Sequence, residues 1–332
     1  MDVGTVAVCV VTHNSEGDLR GCLDSIAALR YRPLELVVVD CASTDDSVAT
    51  VSRHHQPELP LVHRALSENI GFAGGMNEAL AQTDAPWVLT LNPDARPDPD
   101  YISHLLERAT RHPEFRVGAL AGRLVRPQQA DETRLLDACG MFLSPTWRHF
   151  DRGSGEPATG SWTRADRVFG ATGAASLFRR EALDDVAVER EMFLSEFHSF
   201  REDAELCFRL QERGWEVLYE PSALCEHRRH NLPSRRRQMP PHVNMHSLKN
   251  RYLLRLYHQN GMNLLLTGVP ALLRDLAAFA YVLLRERSSL GAYGWLWQHR
   301  REILRRRKAI RGRRTVTSST INRWFFQKGL SL

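Results

Sequence analysis

Asp94 lies in LTLNPDARPD (89–98), where an apolar run stops abruptly at Asn92. A carboxylate at the carboxyl end of a sheet strand stands where open α/β sheets bind their ligands, and it is a hard oxygen donor suited to a divalent cation. The same letters also spell a turn, since Asn, Pro and Asp are ordinary turn residues. A second acidic feature, Glu202–Asp203, opens EDAELCFRLQERGW, a stretch of helical period in which Ala204, Cys207, Phe208 and Leu210 can pack and Gly214 ends the helix. Acids in a first turn complement the helix dipole, and a carboxylate can equally accept a proton from a reacting hydroxyl. His227, in LCEHRRH, is a lone histidine, more often a solvated loop group than a ligand.

The frame around these groups is regular. TVAVCVVT (5–12) is a β-branched strand, and residues 15–29 put Leu19, Cys22, Leu23, Ile26 and Leu29 on one helical face, with Ser15 and Asp18 spaced as a capping box. LELVVVD (34–40), an acid-led helix (43–54), a short strand, a Gly-opened helix (71–82) and PWVLTLN (86–92) follow. Repeated βα units of this length imply a mostly parallel sheet with helices on both faces. Four strands in succession end in polar groups: Thr12 with Asn14, Asp40, the loop before Gly71, and Asn92 with Asp94. Each has a local explanation as a cap or turn, but together they line the binding rim of the sheet.

That rim lacks a glycine-rich phosphate loop. THNSEG follows the first strand, with no G-x-G-x-x-G, and G-x-x-x-x-G-K-[ST] occurs nowhere. For a nucleotide site, the phosphate charge then needs another partner, and a cation held by Asp94 is the economical one.

VVTHN, VVDCASTDDS, NIGFAGGMN and LNPD occur in the order and spacing of glycosyltransferase family 2, and similarity continues through VFGATGAASLFRREAL and FREDAELCFRLQERGW, covering about residues 5–258. The resemblance implies an α/β GT-A fold with a Rossmann-like, mostly parallel central sheet flanked by helices. Its nucleotide-binding half is about 1–125 and its acceptor half about 126–260. It implies inverting transfer of a hexose, with Mg²⁺ or Mn²⁺ bridging the donor diphosphate at Asp94 and reached by His227. Asn92 replaces the first acid of D-x-D. Thr12, Asn14, Asp40, Asn69, Gly71, Asn77 and Asn92 match positions that hold the nucleotide-sugar. Asp203 matches the general base, with Glu202 shaping the site beside it. The turn from Gly170 to Gly173 forms the floor under donor and acceptor sugars, and Trp147 and Trp162 flank a Gly-rich loop over the cleft, with Trp147 beside a sugar.

N-P-D at the last rim position is found in bacterial rhamnosyltransferases of this family. The expected reaction is therefore transfer of L-rhamnose from dTDP-L-rhamnose to a lipid-linked or cell-envelope glycan. UDP-galactofuranose or UDP-GlcNAc is the alternative donor, and a non-catalytic nucleotide-sugar-binding membrane scaffold the alternative class.

Composition adds bounds. The 332 residues are 43% hydrophobic and 25% charged, an ordinary globular balance able to fill a core. Six scattered Cys without C-x-x-C suggest neither zinc nor disulfides, and the β-rich amino end carries no secretory pattern, so a cytosolic setting is expected. The net charge of +5 hides an asymmetry: residues 261–332 hold 14 Lys/Arg against 3 Asp/Glu. This region is expected to form a basic amphipathic helical extension. Residues 262–284 are long enough to cross a bilayer, but Pro270, Arg274 and Asp275 fall mid-span, which favours a helix lying along the membrane interface or packed on the body. Residues 300–314 hold nine basic groups and one acid, attractive to an anionic membrane surface. Nucleic acid is not an expected partner, because aromatic stacking groups are not interleaved. The expected location is thus peripheral, at the inner face of the cell membrane, and a homo-oligomer stays open.

Overall fold

A computed structural model describes residues 3–54, 56, 58–128, 133–230 and 239–332. The amino-terminal half runs β1 (Val6–Thr12), α1 (Glu16–Ala27), β2 (Leu34–Cys41), α2 (Ser47–Arg53), β3 (Leu61–Leu66), α3 (Gly71–Leu80) and β4 (Trp87–Leu91). β1, β2 and β4 read as apolar runs because they are covered on both faces, as parallel strands between helices must be, whereas β3 forms the partly exposed edge. β1 is buried along its whole length, and it pairs in parallel with both β2 and β4.

The second half adds β5 (Ala95–Pro97), α4 (Tyr101–Arg111), β6 (Val117–Val125), β7 (Leu136–Ala138), β8 (Met141–Leu143), β9 (His149–Asp151), β10 (Asp166–Val168), β11 (Ala175–Arg179), α5 (Arg180–Val186), α6 (Glu202–Glu212) and β12 (Glu216–His227). The main sheet has the order β13-β10-β12-β6-β11-β4-β1-β2-β3. β11 is antiparallel to both β4 and β6, so the sheet is mixed rather than wholly parallel. That reversal lets the turn before β11 arrive at the rim where β4 ends. The backbone N–H of Asn92 donates to Ala174 C=O at 2.8 Å.

The carboxyl-terminal elements are α7 (Pro241–His258), α8 (Gly261–Arg285), α9 (Gly291–Gln298), α10 (Arg300–Gly312), α11 (Ser318–Asn322) and β13 (Leu330–Ser331). Residues 261–332 are built into the body rather than hung from it. β13 pairs with β10, and Ile303, Ile310, Ile321, Trp324 and Phe325 share one apolar cluster with Met141, Phe169 and Phe208. The basic run also turns inward: Arg306 pairs with Glu191 and Glu196, Arg314 with Glu212, and Arg313 donates to the carbonyls of Asp185 and Ala187.

Two local expectations differ. The capping box at Ser15 does not form. Ser15 Oγ donates to His13 C=O, while its backbone N–H is met by Ser47 across the sheet rim. Trp147 is 2% exposed and lies in the core, its indole N–H donating to Thr267 Oγ1 at 2.9 Å and its ring against Phe325 and Phe208. It joins the body to α8 and lines no cleft. A Trp in Ser-Pro-Thr-Trp-Arg reads locally as loop, and only the distant helix makes that position interior.

Candidate active site

The rim assembles as the strand ends require. Thr12 and Asp40 are register partners across β1 and β2, and both are buried. Asp40 turns its carboxylate onto the backbone N–H and hydroxyl of Ser43, closing the β2 loop, whereas the buried Thr12 hydroxyl has no protein partner. That leaves the Thr12 hydroxyl open to a bond from outside the protein. Asn14, with φ of 51°, accepts the N–H of Thr44 at 2.8 Å and laces the first rim loop to the second.

The glycine-opened helix is held differently from its expected use. Asn69 accepts the N–H of Gly71 at 2.9 Å, shaping the turn. Gly71 has φ of +73°, and a Cβ there would lie 2.5 Å from the carbonyl oxygen of His198, so only glycine fits. Asn77 commits its side-chain amide to the backbone. Its amide donates to Phe193 C=O at 2.6 Å and its oxygen accepts the N–H groups of Met192 and Phe193. Its role is to staple the segment that precedes α6.

That segment carries strain. His198, Phe200 and Arg201 all have φ between 60° and 72°, a region costly for side-chain-bearing residues. Asn250 of α7 holds it from the other side, donating to the carbonyls of Phe197, Ser199 and Phe200 at 2.7–2.9 Å. Two asparagines, 173 residues apart by number, thus fix the approach to Glu202 and Asp203.

Asp203 accepts the backbone N–H of Gly173 at 3.1 Å and of Ala204 at 2.7 Å. Burial pushes its carboxyl above the usual Asp range despite these donors and the nearby Arg201, so it is a stronger base than a surface carboxylate. Glu202 is more deeply buried, one carboxyl oxygen has no partner, and burial with the Asp203 charge drives its pKa well up. Burial thus raises the pKa of both carboxyls, Glu202 more strongly than Asp203. Gly173 packs against the Phe72 ring and Asp203, whereas Gly170 is pressed onto Cys207 of α6. Both glycines let the turn approach α6 closely, with Gly173 facing the acid pair.

Asp94 and His227 meet because β5 and β12 are antiparallel partners with His227 opposite Ala95. His227 Nε2 lies 3.3 Å from Asp94 Oδ1, and Nδ1 lies 2.7 Å from Asp137 Oδ2. Burial alone would lower the imidazole pKa, but the hydrogen bonds to Asp137 and Asp94 raise it to about 9. Burial likewise acts to raise the Asp94 pKa, and His227 more than offsets it, leaving the carboxyl below its ordinary value. Asp137 is in turn held by Arg229 at 3.1 Å, and Arg229 reaches Asp151 at 2.5 Å. Asp137, Asp151, Arg229, Asn250 and His198 were not identified from sequence. Only Arg229, two residues beyond His227, had a nearby signal.

With its Nε2 proton displaced, His227 and an Asp94 oxygen could hold a divalent cation of the Mn²⁺ or Mg²⁺ class, with Asp137 fixing the imidazole orientation from behind. Among the described residues no group of three or more His, Cys, Asp or Glu side chains gathers around a metal position, so a diphosphate and water would supply the remaining ligands.

The family model described as Glycosyl transferase family 2 matches residues 7–187, more than half of the chain. The chain belongs to glycosyl transferase family 2. Its relatives include an N-acetylglucosaminyltransferase of Azorhizobium caulinodans, 28% identical over 226 residues, covering 66% of this chain and 53% of that one. The chain spans about half the length of the curated relatives it matches. Among solved structures, residues 1–349 of S. aureus TarS in complex with UDP-GlcNAc align at a TM-score of 0.53 and 15% identity, covering 97% of this chain and 89% of that one. GalNAc-T7 with UDP, GalNAc and Mn²⁺ aligns at a TM-score of 0.57 and 13% identity, over 76% of this chain and 48% of that one. The family 2 chain therefore has the GT-A fold, built on a mixed sheet. Asp94, in the turn after β4, lies inside the matched region, and Asp203 and His227 lie beyond it.

Proposed function

We propose that this family 2 chain transfers a hexose, with inversion, from a nucleoside-diphosphate donor to a glycan or lipid-linked acceptor at the cytosolic face of a membrane. The observation that carries this reading is the convergence of two chemistries on one rim. Asp94 pairs with His227, and Asp203 is tied through Gly173 to the turn whose Ala174 carbonyl is bonded to Asn92, two residues before Asp94.

Thr12, Asn14 and Asp40 bound the nucleotide pocket, and the Gly71 turn lets the sugar approach. A bound Mg²⁺ or Mn²⁺ would neutralise charge on the departing diphosphate. Asp94 and His227 would hold that ion. Asp203 takes the proton from the acceptor hydroxyl as the new bond forms. One base and no enzyme nucleophile correspond to a single in-line displacement, which inverts the anomeric carbon. Glu202, its carboxyl pushed well above the usual Glu range by burial and the Asp203 charge, shapes the site beside the base.

The LNPD form of the rim turn supports dTDP-L-rhamnose as donor. The likeness to an N-acetylglucosaminyltransferase supports UDP-GlcNAc. A screen of dTDP-L-rhamnose, UDP-galactofuranose and UDP-GlcNAc, following nucleoside diphosphate release with and without Mn²⁺, separates them. Release from none of these donors in the presence of Mn²⁺ would leave a binding scaffold as the better reading.

A further inference from the structure

α8 is assembled inside out. At 100° per residue, Leu265, Val269, Leu272, Leu276 and Leu283 fall on one face. All are exposed, Leu265 at 83% and Val269 at 71%. Leu264, Leu266, Leu273, Phe279 and Leu284 widen the same surface. The polar residues face the opposite way. Asn263 and Thr267 are buried, Asn263 in a reciprocal cap with Asn260 and Thr267 under the Trp147 indole, and Asp275 accepts from Arg251 at 2.7 Å and from Arg255. A helix of a water-soluble surface shows the reverse order.

We propose that the outward face of α8 is an interfacial membrane anchor that lies flat in the headgroup–acyl boundary of an anionic bilayer. Its partner follows from charge. Arg285 and Arg287 are exposed at and just beyond the carboxyl end of the helix, whereas Asp275 is turned to the body and Glu286 is engaged by Ser289. The segment that holds α8, residues 261–332, carries 14 Lys/Arg against 3 Asp/Glu. Anionic headgroups match such a margin. A second copy of the same face would bring two basic segments together, an unfavourable symmetric contact.

The helix is long and apolar enough to cross a bilayer. Its side chains are tied to the body at Thr267, Asp275 and Val282, so its axis runs along the protein surface, and a flat pose follows. The anchor is thus α8, with the basic run of α10 largely engaged by the body. This inference rests on the proposed function only for its biological sense, since a membrane-held acceptor explains why a transferase is placed there.

The test uses the full chain with no donor or acceptor present. Flotation with vesicles of phosphatidylcholine plus phosphatidylglycerol is compared with pure phosphatidylcholine. The variant Leu265→Gln/Val269→Gln/Leu272→Gln/Leu276→Gln keeps helix formers on an exposed face and should hold the wild-type thermal midpoint. Its vesicle affinity should fall by at least about tenfold, less than the transfer of one or two leucines would account for. Arg285→Gln/Arg287→Gln should weaken binding to the anionic vesicles alone. Unchanged vesicle binding by the quadruple variant, or no wild-type binding to either vesicle, overturns the proposal. So does a quadruple variant that converts a dimer to a monomer without changing vesicle binding, which would assign the face to a second copy. Nucleoside diphosphate release measured separately reports on the transferase reading, so the two fail independently.

Discussion

The backbone N–H of Gly173 donates to the carboxylate of Asp203 at 3.1 Å, while the carbonyl of the next residue accepts from Asn92, two residues before Asp94. The proposed base and the proposed cation ligand are thus coupled through one short turn, and displacement of that turn disturbs both.

Activity should respond to pH through Asp203. The reaction needs its ionised form, and burial raises its pKa above the ordinary Asp range. As pH falls, protonation begins at a higher pH than for a surface aspartate, so the acid limb of kcat should lie above about 4. A kcat profile flat down to the ordinary Asp range would remove Asp203 from the proton transfer.

His227 should bind its cation through an orientation imposed by Asp137. Loss of a partner behind a metal ligand typically costs 10–100-fold in metal affinity or activity. Asp137→Asn should therefore raise the Mn²⁺ concentration for half-maximal donor turnover by about 10–100-fold. Direct titration of Mn²⁺ by electron paramagnetic resonance, with nucleoside diphosphate present, reads the same shift without turnover. Equal Mn²⁺ affinity in both proteins would reduce Asp137 to a structural acid.

Gly71 should tolerate no side chain. At φ of +73° and with the His198 carbonyl 2.5 Å from where a Cβ would stand, Gly71→Ala combines backbone strain with a backbone clash. The substitution should lower stability by more than about 1 kcal/mol and weaken donor binding. Thermal unfolding and donor titration check the two effects, and an unchanged midpoint would show that the turn relaxes freely.

The carboxyl-terminal segment should be part of the folding unit. Trp324 is fully buried and donates its indole N–H to Gln211 of α6 at 3.0 Å. Trp324→Ala should cost about 3–5 kcal/mol, the usual range for emptying a large aromatic site. Chemical denaturation monitored at the body, through a probe near α6, would show it; a body that unfolds at the wild-type midpoint would make the extension a separate unit.

The alternation of apolar runs and helical faces made the first four strands and their rim legible, because each reports burial within its own element. Thr12, Asp40 and Asp94 were placed by the same logic, since a strand end is a local property. The partnership of His227 with Asp137 spans 90 residues and depends on β12 lying beside β5 and β6, which no periodicity encodes. Asn77 shows a different limit. Its position in N-x-G-F-A-x-G-x-N marked it as a ligand, but its amide is turned onto residues 192–195, and residue type alone does not reveal direction. Trp147 and the polar side of α8 were obscured for one reason: each is interior only because the other is there.

The most direct test of the account is Asp203→Asn, with transfer rate, donor dissociation constant and thermal midpoint measured side by side. Asn is close to Asp in size and can still accept the Gly173 N–H, so the fold and the donor contacts at Thr12, Asp40 and Asp94 should remain. It cannot take up the acceptor proton, and the rate of transfer should fall by about 10²–10⁴-fold while affinity and midpoint stay near wild type. Transfer at a near wild-type rate would contradict the account, leaving Asp203 a helix-start acid and the base to be sought at Glu202.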